Sequence, residues 1–244
     1  MSIAIVGYGR MGQEIEATAN EQSVKIDAIF DVKNPLTNLT DYSFSTAIEF
    51  THPDSVLSNI KLLAENGKNI IVGTTGWNDK INEVKEIVKQ NNIGFVWGAN
   101  FSIGVNLFFK IIKDTSSIFN PFEDFDVMIH EIHHKNKVDS PSGTAIKIAN
   151  SIIDNIKRKD KIISDKIEGK IEENALHVSS TRGGEIFGKH SVFFDSSADE
   201  IVLSHNAKNR KGFAKGAVLA SEWIFNRKGF FEFSDVIEDI IKFK

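Results

Sequence analysis

Short apolar runs alternate with longer stretches of helical period through the first hundred residues. Ile3-Ala4-Ile5-Val6 stops at Gly7, positions 13–20 repeat apolar residues at helical spacing, and 25–30 is a second apolar run ending at Asp31. The alternation goes on with a strand over 47–50 and a helix from Pro53, well suited to a first turn, to 65, closed by Asn66-Gly67. Strands over 69–72 and 93–97 flank a helix over 79–90. Strands separated by helices of this length predict an α/β domain with a doubly wound parallel sheet.

Beyond Asn100 the rhythm changes. A helix over 105–118 precedes strands over 126–132, 176–181, 191–194 and 200–204, so strand now follows strand and a second, α+β domain with a mixed or antiparallel sheet is expected. The charged segment 157–174 reads as a solvated loop. A helix over 213–225 and an amphipathic tail over 230–243 close the chain, and the tail should return to the first domain, since its Phe and Ile positions would be insoluble if exposed. The expected division is 1–102, 103–210 and a returning 211–244.

Composition narrows the function. A net charge of −4 gives no general attraction for nucleic acid. Cysteine is absent, which removes disulfides, thiolate nucleophiles and thiolate-bound metals. No apolar run is long enough for a bilayer, and the first residues lack the charge of a signal peptide, so a soluble cytoplasmic protein without nucleic-acid or membrane partners is expected.

Chemistry then has to reside in sites. Gly7-Tyr8-Gly9-Arg10-Met11-Gly12 follows a strand and opens a helix, and Asp31 stands at the next strand's end, about twenty positions on. In that context Gly7 permits a tight turn, Gly9 lets a pyrophosphate approach the backbone, and Gly12 allows close helix–strand packing. The first domain is therefore expected to be Rossmann-like and to bind a nicotinamide dinucleotide. Asp31 would accept hydrogen bonds from the ribose hydroxyls and favour NADH over NADPH, with nearby Lys33 softening the preference. Gly73-Thr74-Thr75-Gly76 and Gly98-Ala99-Asn100-Phe101-Ser102 fall after later strands, where ligands of such sheets bind.

His130-Glu131-Ile132-His133-His134 matches the HExxH pattern of zinc hydrolases, but that chemistry needs a helix. Its flank reads as strand, where positions four apart lie roughly 13 Å from one another, too far to share an ion. No metal is expected. The alternative places His133 and Lys137 as proton donors on the loop leaving the strand. Ser142 is a suitable N-cap, and Gly143 and Thr144 offer N–H groups and a hydroxyl to a carboxylate at a helix start. Arg182-Gly183-Gly184 and the run from His205 to Arg210 could add positive charge to the same cavity. A catalytically silent dinucleotide sensor is the rival from another class.

Taken together, the segment Glu131 to Ala145, with Ser140 where Ala is usual, the Gly7 to Gly12 turn, Gly67-Lys68, Gly73-Thr74-Thr75-Gly76, Ala99-Asn100-Phe101-Ser102 and Phe213-Ala214-Lys215-Gly216-Ala217 resemble the dihydrodipicolinate reductase family over nearly the whole chain. The resemblance implies reduction of a cyclic imine dicarboxylate to tetrahydrodipicolinate in the diaminopimelate route to lysine. It implies His133 and Lys137 as the acid groups, His134, Gly143 and Thr144 as substrate ligands, and Gly7 to Gly12, Asp31, Gly73, Thr74, Thr75 and Ala99 to Ser102 as the NADH or NADPH site. A homotetramer assembled through the second domain's sheet is also implied. Asp31 stands where Glu is frequent in the family.

Overall fold

The apolar runs of the N-terminal third lie side by side in a parallel sheet, because each is buried on both faces and needs helices above and below. In the computed structural model, which describes residues 1–242, these are β1 (Ser2–Val6), β2 (Lys25–Phe30), β3 (Thr46–Glu49), β4 (Asn69–Val72) and β5 (Gly94–Trp97). Between them run α1 (Arg10–Glu21), α2 (Pro53–Glu65) and α3 (Ile81–Gln90), the last preceded by a 3-10 turn at Asn78–Lys80. Side chains of period two feed two cores. Ala4, Val6, Ala47, Ile70, Val72 and Phe95 pack with Ile60 and Leu63 of α2 and Val84 and Val88 of α3. Ile3, Ile5, Ile48, Ile71 and Val96 pack with Ile15 of α1 on the opposite face. Each large apolar side chain so buried contributes about 1.5–3 kcal/mol.

α4 (Ile103–Phe119) leads into β6 (Asp126–His133), α5 (Gly143–Asn155), β7 (Lys161–Ile163), β8 (Ala175–Arg182), β9 (Gly188–Asp195) and β10 (Glu200–Ala207). The chain then returns through α6 (Lys211–Trp223), β11 (Gly229–Glu232) and α7 (Phe233–Lys242). Two units result, one of Met1–Asn106 with the segment from Arg210 onward, the other Leu107–Asn209.

In the first unit the strand order is β11-β5-β4-β3-β1-β2, all neighbours parallel. From the C-terminal segment, Ala217 of α6 and Phe233 and Val236 of α7 join the core around Ile5. The start of the tail differs from the expectation. Residues 229–232 form a strand, Phe230 pairing with Phe95 of β5 and the two rings stacking at 5.0 Å, before the helix begins at Phe233. Phe243, included in the expected tail, lies outside the described residues.

In the second unit the order is β10-β9-β6-β8-β7, with β6–β8 and β8–β7 parallel and the rest antiparallel, so the sheet is mixed. Val127, Ile129, Val178, Val192 and Phe194 pack against Ile148 and Ile152 of α5 and Ile112 of α4. The stretch 157–174, expected as loop, contains β7. It is fastened by the buried Lys159, whose Nζ donates to the carbonyls of Glu173 (2.7 Å) and Ala175 (2.9 Å) and lies 2.6 Å from Asp126 Oδ1. No helix among the described residues is long and apolar enough to cross a membrane.

Candidate active site

The turn after β1 shows why its glycines are required. Gly7 has φ +95°, its N–H donates to Phe30 O at 2.9 Å, and a Cβ there would stand 2.2 Å from Phe50 O. A Cβ on Gly12 would meet the Gly7 carbonyl oxygen at 2.2 Å, so the first turn of α1 can lie on the strand end only with glycine there. Gly9 caps α1 with no side-chain hydrogen bond and with open space around its Cα, leaving the helix start accessible. Arg10 is exposed, Met11 packs into the core, and Tyr8 donates its hydroxyl to Glu16. A helix N-terminus approached through an open glycine fits a pyrophosphate.

At the end of β2, Asp31 Oδ1 accepts from the N–H groups of Lys33 and Asn34, both at 2.8 Å, which holds the carboxyl below its ordinary range. The carboxylate is thus fixed in orientation and charged. Among the later strand ends, Thr75 and Ala99 are exposed. Thr74 Oγ1 accepts from Thr51 N (2.8 Å), and Gly73 lies against the Phe50 ring, with no room for a Cβ. Asn100 Oδ1 accepts from Ser102 N at 2.9 Å and its carbonyl from Asn106 Nδ2 at 2.9 Å, while the Phe101 ring packs against Phe233.

One acid at these strand ends escapes sequence reasoning. Glu49, the last residue of β3, is fully buried, and burial pushes its carboxyl up despite hydrogen bonds from Thr51 and Asn59. Its Oε1 accepts from Thr51 Oγ1 and Asn59 Nδ2, whereas Oε2 has no partner among the described residues.

The second unit gathers its polar groups around Glu131. Along β6, Val127, Ile129, Glu131 and His133 alternate inward, and Glu131 is fully buried. Its Oε1 accepts from Ser142 N (3.0 Å), Ser180 Oγ (2.8 Å) and Arg182 (2.7 Å), and Oε2 lies 2.7 Å from His133 Nδ1 in an oblique approach. Burial alone would raise this carboxyl, but the close approach of His133 and the bonds from Ser142, Arg182 and Ser180 outweigh it and hold the group ionised far below the ordinary range.

His133 is buried against this carboxylate, with a Cβ on Gly188 reaching to 2.7 Å of its Nε2. His134 N–H donates to Ile186 O at 2.7 Å, and Lys137 Nζ stands 2.8 Å from Asp139 Oδ1. The Asp139 carboxyl is held low chiefly by Lys137, with the Gly143 backbone contributing. Ser142 Oγ accepts from Ala145 N at 3.2 Å and caps α5, while Gly143 is exposed with open space about it. Arg182, which the sequence offers only as loose positive charge, is a direct partner of Glu131. Arg210, from the same expectation, belongs to the first unit. A third imidazole, His190 of β9, is not anticipated by any motif, although it shares the inward parity of Gly188, Val192 and Phe194.

The zinc-hydrolase alternative fails on geometry. His130 Nδ1 lies 2.7 Å from Ser179 Oγ on a strand, and His134 lies beyond that strand's end, so the two cannot share an ion. Donor atoms of Glu131, His133 and His190 do fall within 4.8 Å of one another. However, ligands around zinc at about 2.0–2.1 Å stand roughly 3.3 Å apart in a tetrahedron. The 2.7 Å between Glu131 and His133 leaves no such space, and Arg182 already supplies the compensating cation.

A parallel sheet with an open glycine turn and an anchored acid, joined in one chain to a mixed sheet carrying a carboxylate, imidazoles and an ammonium, defines a two-unit nicotinamide-dinucleotide oxidoreductase. The family models described as dihydrodipicolinate reductase N-terminus and C-terminus match residues 1–101 and 104–237. The chain belongs to the dihydrodipicolinate reductase family. The 4-hydroxy-tetrahydrodipicolinate reductase of Christiangramia forsetii is 36% identical, covering 99% of this chain and 100% of that one. That of Buchnera aphidicola is 35% identical with 97% of both covered. A dipicolinate-bound dihydrodipicolinate reductase from Paenisporosarcina has the same fold, with a TM-score of 0.78 at 22% identity over 96% of this chain and 99% of that one. Neither the sensor nor the hydrolase reading gains support from these relatives.

Proposed function

We propose that the chain is a 4-hydroxy-tetrahydrodipicolinate reductase, an NAD(P)H-dependent oxidoreductase giving tetrahydrodipicolinate in the diaminopimelate route to lysine. The observation that carries the reading is the buried Glu131–His133 pair beside the open start of α5, in a chain that also has the glycine turn. NAD(P)H, when bound, would supply a hydride to the unsaturated cyclic imine that the 4-hydroxy compound becomes on losing water, giving tetrahydrodipicolinate. Gly7 to Gly12 hold the pyrophosphate, Asp31 the adenosine ribose, and Gly73 to Thr75 with Ala99 to Ser102 the nicotinamide end.

The chain's own work on the substrate is placement and protonation. The N–H groups of Gly143 and Thr144, the Thr144 hydroxyl and His134 bind the carboxylates of the cyclic dicarboxylate. His133, steadied by Glu131, and Lys137 would supply the proton that the ring takes up to balance the hydride. Asp31 favours NADH over NADPH, because a 2′-phosphate would stand against a carboxylate. The exposed apolar Met128 and Val202, which lie on the same face of the second sheet, suit assembly of a cytoplasmic homotetramer through that face.

The direct test is NADH oxidation followed at 340 nm with the freshly generated heterocycle as substrate. Substrate-dependent oxidation with formation of tetrahydrodipicolinate is expected. NADH binding without turnover would overturn the reading.

A further inference from the structure

β6 and β9 pair antiparallel with Glu131 opposite His190, so the register itself sets this imidazole against the buried carboxylate. His190 is 4% exposed, its Nε2 lies 3.1 Å from Ser142 Oγ and 3.7 Å from Glu131 Oε2, and its ring meets that of His133 edge-on at 5.1 Å. Nδ1 has no hydrogen-bond partner among the described residues. An imidazole used only to fill space would be a poor choice here, because a buried polar group short of partners costs about 1–3 kcal/mol and an apolar ring would avoid that.

Ser142 is the other half of the arrangement. Its N–H donates to Glu131 Oε1, its hydroxyl accepts from Ala145 N at the start of α5, and the same hydroxyl meets His190. One three-residue set, Glu131, Ser142 and His190, therefore touches both the His133 imidazole and the first turn of α5.

We infer that His190 is a positioning residue for the reduction, holding the Glu131 carboxylate and the Ser142 cap so that His133 and the substrate-binding helix start keep a fixed mutual geometry. The inference rests on the functional reading above. His190 does this uncharged. Burial, and then repulsion from His133, push its pKa down to about 4, against the pull of Glu131. The charged and titratable groups around it are Glu131 and His133 of β6, His205 of β10, Lys137 of the following loop and, across Glu131, Arg182 of β8. A neutral imidazole adds a hydrogen bond to this set without adding a positive charge beside His133.

Three variants test it in the full-length enzyme. His190→Phe keeps a planar aromatic ring, somewhat larger, and removes both polar atoms, His190→Asn places its amide near the Nδ1 position, and His190→Gln restores a polar group near Nε2. The first two should lower kcat about 10- to 100-fold, the scale on which outer partners of functional imidazoles act. Both should raise KM for the heterocycle, leave KM for NADH unchanged and shift the midpoint of the His133 ring titration seen by NMR. His190→Gln should recover most of each. If the Phe variant does not fold, the Asn variant decides alone. A wild-type His133 midpoint with wild-type kcat in Phe or Asn, or a Gln variant as impaired as Asn, would overturn the inference. The His133 titration does not depend on turnover. An inactive wild-type enzyme would strike the functional reading, and the titration would still judge His190.

Discussion

Lys137 Nζ stands 2.8 Å from Asp139 Oδ1, two residues along the same turn, and the Gly143 backbone at the head of α5 also acts on that carboxylate. An internal anion thus occupies the neighbourhood in which a substrate carboxylate is proposed to bind. Lys137→Ala and His133→Ala should each lower kcat by about 100-fold or more, the scale of a lost general acid. Steady-state NADH oxidation checks this, and near-normal turnover in both variants would remove their proposed roles.

Cofactor choice should follow the acid at the end of β2. The Asp31 carboxylate is oriented by the Lys33 and Asn34 N–H groups and remains charged. Asp31→Ala should move the ratio of kcat/KM values toward NADPH, since the repulsion of a 2′-phosphate disappears while Lys33 stays. An unchanged ratio would show that Asp31 does not read the ribose.

At Gly12 the added methyl has a backbone oxygen 2.2 Å away and cannot be accommodated by side-chain motion. Gly12→Ala should therefore destabilise the first unit by about 1–3 kcal/mol, as overpacking does, and weaken NADH binding together with it. Calorimetry and a fluorescence titration with NADH read the two effects. Gly9→Ala, at an open position, should leave the melting temperature close to wild type.

Two buried carboxyls should give the stability opposite pH dependences. Glu131 is held below its unfolded value of about 4.5, so its stabilisation is complete above that pH and is lost on acidification. Glu49 is raised by burial, so its contribution is complete below about pH 4.5 and declines as the pH climbs through its folded-state pKa. Glu131→Gln leaves Arg182 without its buried partner and should cost near the lower end of about 3–5 kcal/mol at neutral pH, because the guanidinium is partly exposed. That deficit should shrink in acid. Glu49→Gln removes a buried charge penalty, so its melting temperature relative to wild type should rise with pH. Thermal melts across the acid to neutral range test both signs, and parallel curves would contradict the assignment.

Most elements are legible in the sequence because their boundaries coincide with local chemistry. α2 runs from Pro53 to Glu65 as expected, since proline suits the first turn and Gly67 takes the positive φ after the end. β2 and β4 are bounded by charged or polar residues and glycine, and both match the expected spans. β7 is hidden because Lys161 and its neighbours look solvated, while the interaction that fastens it, Lys159 with carbonyls fourteen and sixteen residues on, is invisible to a local window. β11 is hidden because Phe230 and Phe231 also satisfy the helical period of α7, which begins at Phe233. Only the pairing with Phe95, far away in the chain, selects strand.

The site shows the same division. Contiguous motifs around the glycine turn and His133 announce themselves, whereas Glu49 reads as an ordinary strand end and His190 as a solitary histidine. Their settings come from strand register, Glu131 opposite His190 and Glu49 beside Val6 and Val72, and no short window contains it.

Because β11 completes the edge of a sheet whose other strands come from the first hundred residues, that unit is interrupted by everything from Leu107 to Asn209. During synthesis its early strands must wait, with the flank of β5 uncovered, while the inserted unit, continuous in sequence, is free to fold as soon as it emerges. The part of the protein begun first is the part finished last, and a nascent chain from which Asn209 has just left the ribosome carries a completed insert on an unclosed host.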